Sequence, residues 1–349
     1  MQYDLIIVGD TPEAWSMAEF GAELGASTLV VRPVGGTPGA SGLGAVLSAF
    51  GEDDTAASWP RLFGQVSHPR DLWRMAGQAH ERQIAESARK LGIRQVRAMA
   101  RFSSPTSLDI FAHGAIQRVS AALFVLAVGT ASRRSVAIDS ERSPLLIPEQ
   151  VPFRTDIPAR LIIVGGDQTA TAMARLYEMA GSEVALVDTQ GLLDPEQTDL
   201  HVIQQEIVAC QRRGAEVVTR LDDGVYLRAD AILFAANRAG ATGNLGLSAA
   251  GLEADENGCL WCDDHGMTWT PTIAAAGEVI GYPRNLVNNP HRIERTIANK
   301  LGLSEQYFPE IVSFELHENR MRLSRVRTMR PFRSRKHPRP QYALRVFQD

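Results

Sequence analysis

The segments LIIVGDTPEAW (Leu5–Trp15) and LIIVGGDQTATAMA (Leu161–Ala174) begin with the same five residues. In both, a β-rich apolar run meets a glycine and continues into a pattern typical of a helix. A strand, a glycine turn and a helix in this order begin a dinucleotide-binding βαβ unit. The sequence therefore predicts two such units.

The two copies continue in the same way. Each predicted strand (Asp4–Val8 and Arg160–Val164) leads into a predicted helix (about Pro12–Leu24 and Gln168–Ala180), a glycine and a second strand. This order predicts an α/β fold with parallel sheets, in which two Rossmann-like dinucleotide-binding domains lie in tandem.

Both loops keep two of the three small positions of the fingerprint G-x-G-x-x-G/A. The first and third positions are filled by Gly9 and Ala14 in the first copy, and by Gly165 and Ala170 in the second. The middle glycine, which normally lets the backbone approach a pyrophosphate, is replaced by Thr11 and by Asp167. Cofactor binding is therefore predicted at both loops, but with weakened phosphate contacts.

Thr11 and Asp167 are also good helix caps, and a cap occupies the amides that a phosphate would use. Asp167 adds a negative charge. At ~4 Å and an effective dielectric constant near ~20, its repulsion of a phosphate is about 4 kcal/mol. The second loop is therefore predicted to be weakened more than the first.

The residues that end the second strands differ in charge. Arg32 and Asp188 each follow the loop glycine of their unit by 23 residues. Asp188 suits a ribose 2′-hydroxyl and disfavours a 2′-phosphate, so NAD(H) is favoured over NADP(H) in the second site. Arg32 suits a phosphate or the face of an adenine ring. For both residues the alternative is a solvated charge at a strand end.

Composition is ordinary for a globular protein of two or three domains: 349 residues, 44% hydrophobic and 22% charged. No apolar run reaches the roughly 18–20 residues of a membrane span, and the N-terminal residues lack the basic region of a signal peptide. A cytoplasmic location without membrane contact is therefore expected.

The chain has three cysteines, Cys210, Cys259 and Cys262, too few for a disulfide framework. The Cys259-Leu-Trp-Cys262 pair invites a redox or zinc interpretation. Residues three apart on a strand face opposite sides, and matching ligands for zinc are missing. We therefore expect no metal site here and a structural role for both residues.

Charge is concentrated at the end of the sequence. From Arg320 onward there are ten lysines or arginines and one acid, Asp349, whereas the whole chain has a net charge of −4. Such a tail can contact an anionic partner, although no nucleic-acid-binding fold with interleaved aromatic residues surrounds it. A disordered extension is the alternative, and no specific nucleic acid is expected.

Several further segments resemble the flavin-dependent pyridine-nucleotide (disulfide) oxidoreductases, and within them the soluble pyridine nucleotide transhydrogenases and dihydrolipoamide dehydrogenases. FVLAVGTASR (Phe124–Arg133) resembles the strand end that closes the flavin domain of this family, and TPTIAAAGEVIGYP (Thr270–Pro283) its return strand. The resemblance covers residues 3–303. It implies FAD in the first unit, a nicotinamide nucleotide in the second, and the second domain inserted in the first.

The resemblance also implies site residues and boundaries. Besides the loop residues, Gly36, Gly129 and Glu278 match flavin-binding positions, and Glu278 replaces the aspartate that holds the ribityl chain. The implied FAD-type domain comprises residues 1–146 and 270–303, and the NAD(P)-type domain residues 147–269. A basic tail, residues 304–349, stands in place of the interface domain of the family.

Other departures concern the chemistry. The redox cysteines of the family fall on Pro38 and Leu43, and its flavin-side lysine on Leu47. The acid that binds the flavin-side ribose falls on Arg32. Disulfide reduction needs a dithiol and a base, whereas hydride transfer needs only a flavin and a nicotinamide held together. No catalytic side chain is therefore predicted.

Two hypotheses remain open. The first is an FAD-dependent NAD(P)H oxidoreductase of the transhydrogenase or diaphorase type. The second is a catalytically inactive derivative that binds a nucleotide or a protein partner.

Overall fold

The computed structural model describes residues 1–33, 68–112, 114–132, 144–236, 238–287 and 289–302. The predictions on Gly36, Pro38, Leu43 and Leu47, and on the basic tail, lie outside these residues.

The first unit is a largely parallel sheet. Its strands are β1 (Gln2–Gly9), β2 (Thr28–Pro33), β3 (Arg94–Ser104), β4 (Ser107–Ala112), β5 (Ala115–Ala127) and β17 (Ile273–Ala275). β1 lies between β2 and β5, and β3 and β17 extend the parallel layer on either side. β4 joins β3 to the first half of β5 in antiparallel fashion. β3, β4 and β5 therefore form an antiparallel meander at this edge of the sheet.

Three helices cover one face of this sheet: α1 (Pro12–Glu23), α2 (Pro69–Leu91) and α4 (Pro290–Lys300). Leu5 and Ile7 of β1 pack there against Ala14 and Ala18 of α1. α4 adds Ile293, Ile297 and Ala298 to the same cluster. Burying an isoleucine side chain contributes about 1.5–3 kcal/mol, so α4 is part of the first unit's core.

The second unit has a five-stranded parallel sheet in the order β10–β9–β8–β14–β7. The strands are β7 (Leu145–Leu146), β8 (Arg160–Val164), β9 (Glu183–Val187), β10 (Val202–Ile203) and β14 (Ala231–Phe234). Helix α3 (Gln168–Met179) follows β8 and buries Met173 and Leu176 against the sheet. β8 begins and ends at the predicted residues.

Smaller sheets complete the structure. An antiparallel meander of β11 (Ile207–Arg213), β12 (Glu216–Leu221) and β13 (Tyr226–Ala229) packs on the second sheet. β16 (Leu260–Trp261) pairs with β18 (Ile280–Tyr282). β6 (Thr130–Ser132) leaves the first unit and pairs antiparallel with β15 (Arg238–Gly240), which leaves the second.

The topology confirms the predicted fold class. The chain builds most of the first sheet, forms the second sheet, and returns through β17 to pair with β5. The second Rossmann-like unit is therefore inserted in the first. Among the described residues, no helix is long and apolar enough to cross a membrane.

Candidate functional site

The first loop packs tightly where β1 ends. Gly9 has a φ of +156°, and a Cβ atom there would lie 1.9 Å from the carbonyl oxygen of Ala127. β1 and β5 pair up to this point, so a side chain at position 9 would force the two strands apart. The glycine therefore brings the start of α1 against the carboxyl end of β5, where open α/β sheets bind ligands.

Thr11 caps α1 as predicted. Its Oγ1 accepts a hydrogen bond from the amide of Ala14 at 3.2 Å and donates to the carbonyl of Ala127 at 3.2 Å. Pro12 has no amide hydrogen, so the first turn of α1 has few free donors for a phosphate. The loop keeps the shape of a nucleotide-binding turn but fewer of its donors.

Two acidic side chains lie at the mouth of this loop. Gly277 has a φ of +74°, and a Cβ atom there would lie 3.1 Å from Glu13 Cδ. The next residue, Glu278, accepts a hydrogen bond from Thr130 Oγ1 at its Oε2, at 2.5 Å. Gly129 lies beside them, and a Cβ atom on it would be 3.0 Å from Thr11 Cγ2. Three backbone segments therefore meet with little side-chain bulk between them.

Arg32 is held inside the protein by acidic residues. Its side chain is 4% exposed, bonds both carboxylate oxygens of Asp10 at 2.7 and 2.9 Å, and bonds those of Glu81 at 3.0 and 2.5 Å. It also lies 5.7 Å from the centre of the Trp15 ring. The alternative of a solvated charge is therefore wrong for Arg32. Its donors to a ligand phosphate are already occupied, because two carboxylates compete for the same guanidinium.

The second loop repeats the arrangement of the first. Gly165 has a φ of +139°, and a Cβ atom there would lie 3.1 Å from Ala170 Cβ, so the small residues of the fingerprint touch. Asp167 caps α3 by accepting a hydrogen bond from the amide of Ala170 at 2.9 Å. The predicted cap is present, and it occupies an amide that a phosphate would use.

Asp167 is also a poorly solvated acid. Burial raises its pKa above the ordinary value of 3.8, and the charge of Glu278 acts in the same direction. The amide of Ala170 and the charge of Arg238 oppose that shift. Asp167 belongs to the second unit and Glu278 to the first, so the ligand-facing edges of the two units are close enough to interact electrostatically.

Asp188 is buried against the second loop. It is 1% exposed and accepts hydrogen bonds from the amides of Gln190 and Leu193 at 3.2 and 2.8 Å. The alternative of a solvated charge is therefore wrong here as well. A Cβ atom on Gly166 would lie 2.3 Å from Asp188 Oδ1, so only glycine fits between the loop and this carboxylate. The sequence analysis missed this role, although the doubled glycine of VGGD signals it.

Thr169, in the first turn of α3, has an unsatisfied polar group. It is 1% exposed, and its Oγ1 has no hydrogen-bond partner in the described structure. A buried hydroxyl without a partner costs about 1–3 kcal/mol. A polar ligand at the start of α3 would supply that partner, so this end of the second unit fits a nucleotide.

The pH dependence of binding follows from the raised pKa of Asp167. A neutral carboxyl group does not repel a phosphate, and its fraction grows as pH falls toward the raised pKa. We therefore expect the affinity for NAD⁺, measured by calorimetry, to increase as the pH is lowered from neutrality toward the raised pKa of Asp167. Asp167→Asn should make that profile flatter. An unchanged slope in this variant would assign the pH dependence to another group.

Two residues that the sequence analysis missed join the units. Arg238 on β15 and Glu149 form an ion pair at 3.1 Å, and their side chains are 9% and 3% exposed. Arg238 also donates to the hydroxyl and carbonyl oxygens of Thr130, at 2.9 and 2.7 Å. Glu149 accepts from the amide and the hydroxyl of Ser132. These contacts form a junction between the two units. In the sequence, Glu149 lies in the segment LLIPEQV and Arg238 in ANRAG, and a charge among mostly uncharged residues is the signal for such a buried pair.

All three cysteines are free thiols. Burial raises the pKa of Cys262 to about 12, and it also raises the pKa values of Cys259 and Cys210. A thiol with a raised pKa is a poor nucleophile. In the described ranges no group of His, Cys, Asp and Glu side chains could hold a metal ion.

A flavin fits the first loop on the side of Glu278. In the described structure Thr130 is the hydrogen-bond donor to that carboxylate, which leaves acceptor positions for the hydroxyls of a ribityl chain. Glycine is needed at positions 129 and 277 because a Cβ atom there would press against Thr11 or Glu13. The phosphate side fits less well because Glu13 and the Thr11 cap lie there.

Comparison with known proteins agrees with this geometry. The model of the pyridine nucleotide-disulphide oxidoreductase family matches residues 3–296. A soluble pyridine nucleotide transhydrogenase of Aliivibrio fischeri is 33% identical over 185 residues, 49% of this chain and 39% of the relative. One of Pseudomonas aeruginosa is 25% identical over 367 residues, 93% of this chain and 78% of the relative.

Solved structures share the fold. The HOCl-induced flavoprotein disulfide reductase RclA of Escherichia coli superposes with a TM-score of 0.64 at 17% identity, covering 84% of this chain and 70% of that one. LpdA of Mycobacterium tuberculosis gives 0.65 at 18% identity, with 86% and 72% covered. The chain spans about two fifths of the A. fischeri relative. It belongs to the pyridine nucleotide-disulphide oxidoreductase family, whose members are flavin- and nicotinamide-dependent oxidoreductases.

Proposed function

We propose that the protein is an FAD-dependent NAD(P)H oxidoreductase of the transhydrogenase or diaphorase type, which transfers hydride between a nicotinamide and the flavin. The observation that carries the proposal is the meeting of the two ligand-facing edges. Arg238 of the second unit donates a hydrogen bond to Thr130 at 2.9 Å, and Thr130 donates one to Glu278 of the first unit at 2.5 Å. Cofactors bound to the two units would therefore face a common space.

The chemistry proposed does not use a redox dithiol. The three cysteines lie outside the segment where the family has its redox pair, and their raised pKa values disfavour the thiolate. A bound FAD supplies the hydride acceptor. The protein itself binds and orients the two cofactors. Glu278 accepts hydrogen bonds from the flavin's hydroxyl groups, and the start of α3 holds the nicotinamide nucleotide.

NAD(H) is proposed over NADP(H) for the second unit. Asp188 retains acceptor positions beside the two amides that it already binds, and it lies against Gly166 at the loop. A carboxylate in this place suits the ribose hydroxyls and repels a 2′-phosphate. Titration of the protein with NAD⁺ and with NADP⁺ compares the two affinities directly.

The domain boundaries and the role of the tail stay predictions. The second sheet begins at β7, just before the predicted boundary at residue 147, and α4 ends just before the predicted boundary at residue 303. The predicted contact of residues 304–349 with an anionic partner can be tested by heparin binding before and after their deletion.

One set of contacts supports the second candidate function, a catalytically inactive derivative of the family. Arg32 is neutralised by Asp10 and Glu81, and the Thr11 cap takes the amide of Ala14. Both features weaken anion binding in the first unit. A chain that folds but holds no flavin would keep these contacts and serve as a binding module.

Absorption spectroscopy separates the two candidates. The oxidoreductase should purify with, or take up, one FAD per chain, and should oxidise NADH with an artificial electron acceptor. A chain that stays colourless after incubation with excess FAD, and that leaves NADH unchanged, would contradict the proposed function.

Glu278 offers a sharper test of the flavin site. We expect Glu278→Ala to weaken FAD binding roughly tenfold to a hundredfold, because a charged acceptor of hydroxyl hydrogen bonds is lost. The matched control is Glu13→Ala, which removes the acid on the other side of Gly277 and should strengthen FAD binding. Fluorescence titration measures both. Equal losses in the two variants would contradict the role given to Glu278.

A further inference from the structure

We propose that Arg238, acting through Thr130, is a positioning residue that fixes the carboxylate of Glu278 for a polyol ligand. The inference rests on the proposed function, since Glu278 is the acceptor offered to the flavin. It assigns a role to a side chain whose own strand belongs to the second unit.

The direction of the hydrogen bonds carries the argument. Arg238 Nε donates to Thr130 Oγ1 at 2.9 Å, and a guanidinium has no acceptor. The hydroxyl proton of Thr130 therefore points elsewhere, and the carboxylate Oε2 of Glu278 is 2.5 Å away. The three groups form a relay from a cation, through a hydroxyl, to an anion.

Further contacts keep the relay rigid. Arg238 Nη2 donates to the carbonyl oxygen of Thr130 at 2.7 Å, so one guanidinium holds both oxygens of that residue. Its Nη1 donates a hydrogen bond to Glu149 Oε1 at 3.1 Å. The pairing of β15 with β6 aligns Arg238 with Ser132 and brings the guanidinium above Thr130. A lysine has no planar fork and could not make these contacts together.

The relay has a consequence for binding. Because Thr130 engages Oε2, the Oε1 atom of Glu278 is presented without an internal hydrogen bond in the described structure. A carboxylate side chain that is already held in one rotamer loses less conformational entropy on binding a hydroxyl group than a mobile carboxylate side chain does. Arg238 therefore strengthens the first unit's contact with a polyol without touching the ligand.

The chain offers a matched set of variants on β6. Thr130→Val removes the hydroxyl of the relay, and Thr130→Ser restores it. Ser132→Ala removes a hydroxyl two residues away, which donates to Glu149 at 2.7 Å instead. The probes are riboflavin, which carries the ribityl hydroxyls, and lumiflavin, which lacks them.

We expect Thr130→Val to weaken riboflavin binding to the full chain roughly tenfold, as measured by fluorescence quenching. Thr130→Ser and Ser132→Ala should bind riboflavin as the unaltered chain does, and lumiflavin should bind all four proteins alike. An equal loss in Ser132→Ala, or no recovery in Thr130→Ser, would overturn the relay, because both results indicate a structural effect alone.

A second measurement needs no flavin. In a cycle of Thr130→Val and Glu278→Gln, the denaturation midpoint of the double variant should fall less than the sum of the two single shifts, because the two side chains share one interaction. Additive shifts would overturn the relay. If the unaltered chain binds neither flavin, the proposed function fails, and this cycle alone decides whether Thr130 positions Glu278.

Discussion

Glu149→Ala should destabilise the protein by about 3–5 kcal/mol, since it leaves the cation of Arg238 in a buried place without its partner. Both side chains of the pair are less than a tenth exposed, so water cannot replace the lost carboxylate. Ser132 also loses its acceptor for two hydrogen bonds. The expected fall in melting temperature is roughly 10 °C, measured by calorimetry.

The control for this prediction is the same kind of change at an exposed ion pair. Arg160 and Glu216 lie 2.7 Å apart, and their side chains are 36% and 38% exposed. Glu216→Ala should therefore cost less than about 1 kcal/mol. Equal melting temperatures for the two variants would show that the junction between the units contributes no more than a surface contact.

Asp167→Gly should raise the affinity for NAD⁺ more than roughly tenfold. The change removes a charge whose repulsion of a phosphate is up to about 4 kcal/mol, and it lets the backbone approach the pyrophosphate. The helix cap to Ala170 is lost, but glycine at a cap costs only about a few tenths of a kcal/mol. Thermal stability should therefore change little.

Asp167→Asn separates the two causes. Asparagine can keep the cap to Ala170 while removing the charge, so a gain in this variant measures electrostatics, and any additional gain in Asp167→Gly measures backbone approach. Titration calorimetry with NAD⁺ gives both values. No gain in either variant would mean that the second unit is closed for another reason, and NAD(H) would not be its ligand.

These predictions differ in how far the sequence alone could support them. The caps at Thr11 and Asp167 were predicted from the sequence because a cap joins residues three positions apart. The tandem βαβ order also follows from patterns within single segments and from their order along the chain. The insertion of the second unit was implied only by the family resemblance.

The surroundings of Arg32 depended on the tertiary structure. It was predicted to face a ligand or solvent, and it is instead 4% exposed between Asp10 and Glu81, which are 22 and 49 positions away. No local sequence pattern specifies which carboxylates a strand-end arginine contacts. The tertiary packing that brings α2 beside β2 places Glu81 against Arg32.

The junction is the clearest case. The sequence by itself determined the two nucleotide-binding turns, because strand, glycine and cap are short-range features with a fixed spacing. Only the tertiary structure placed Arg238 over Thr130 and Thr130 beside Glu278, across separations of 108 and 148 residues. The physical reason is that a buried charge is stable only with its partners, and those partners come from whichever segments the folded sheets bring together.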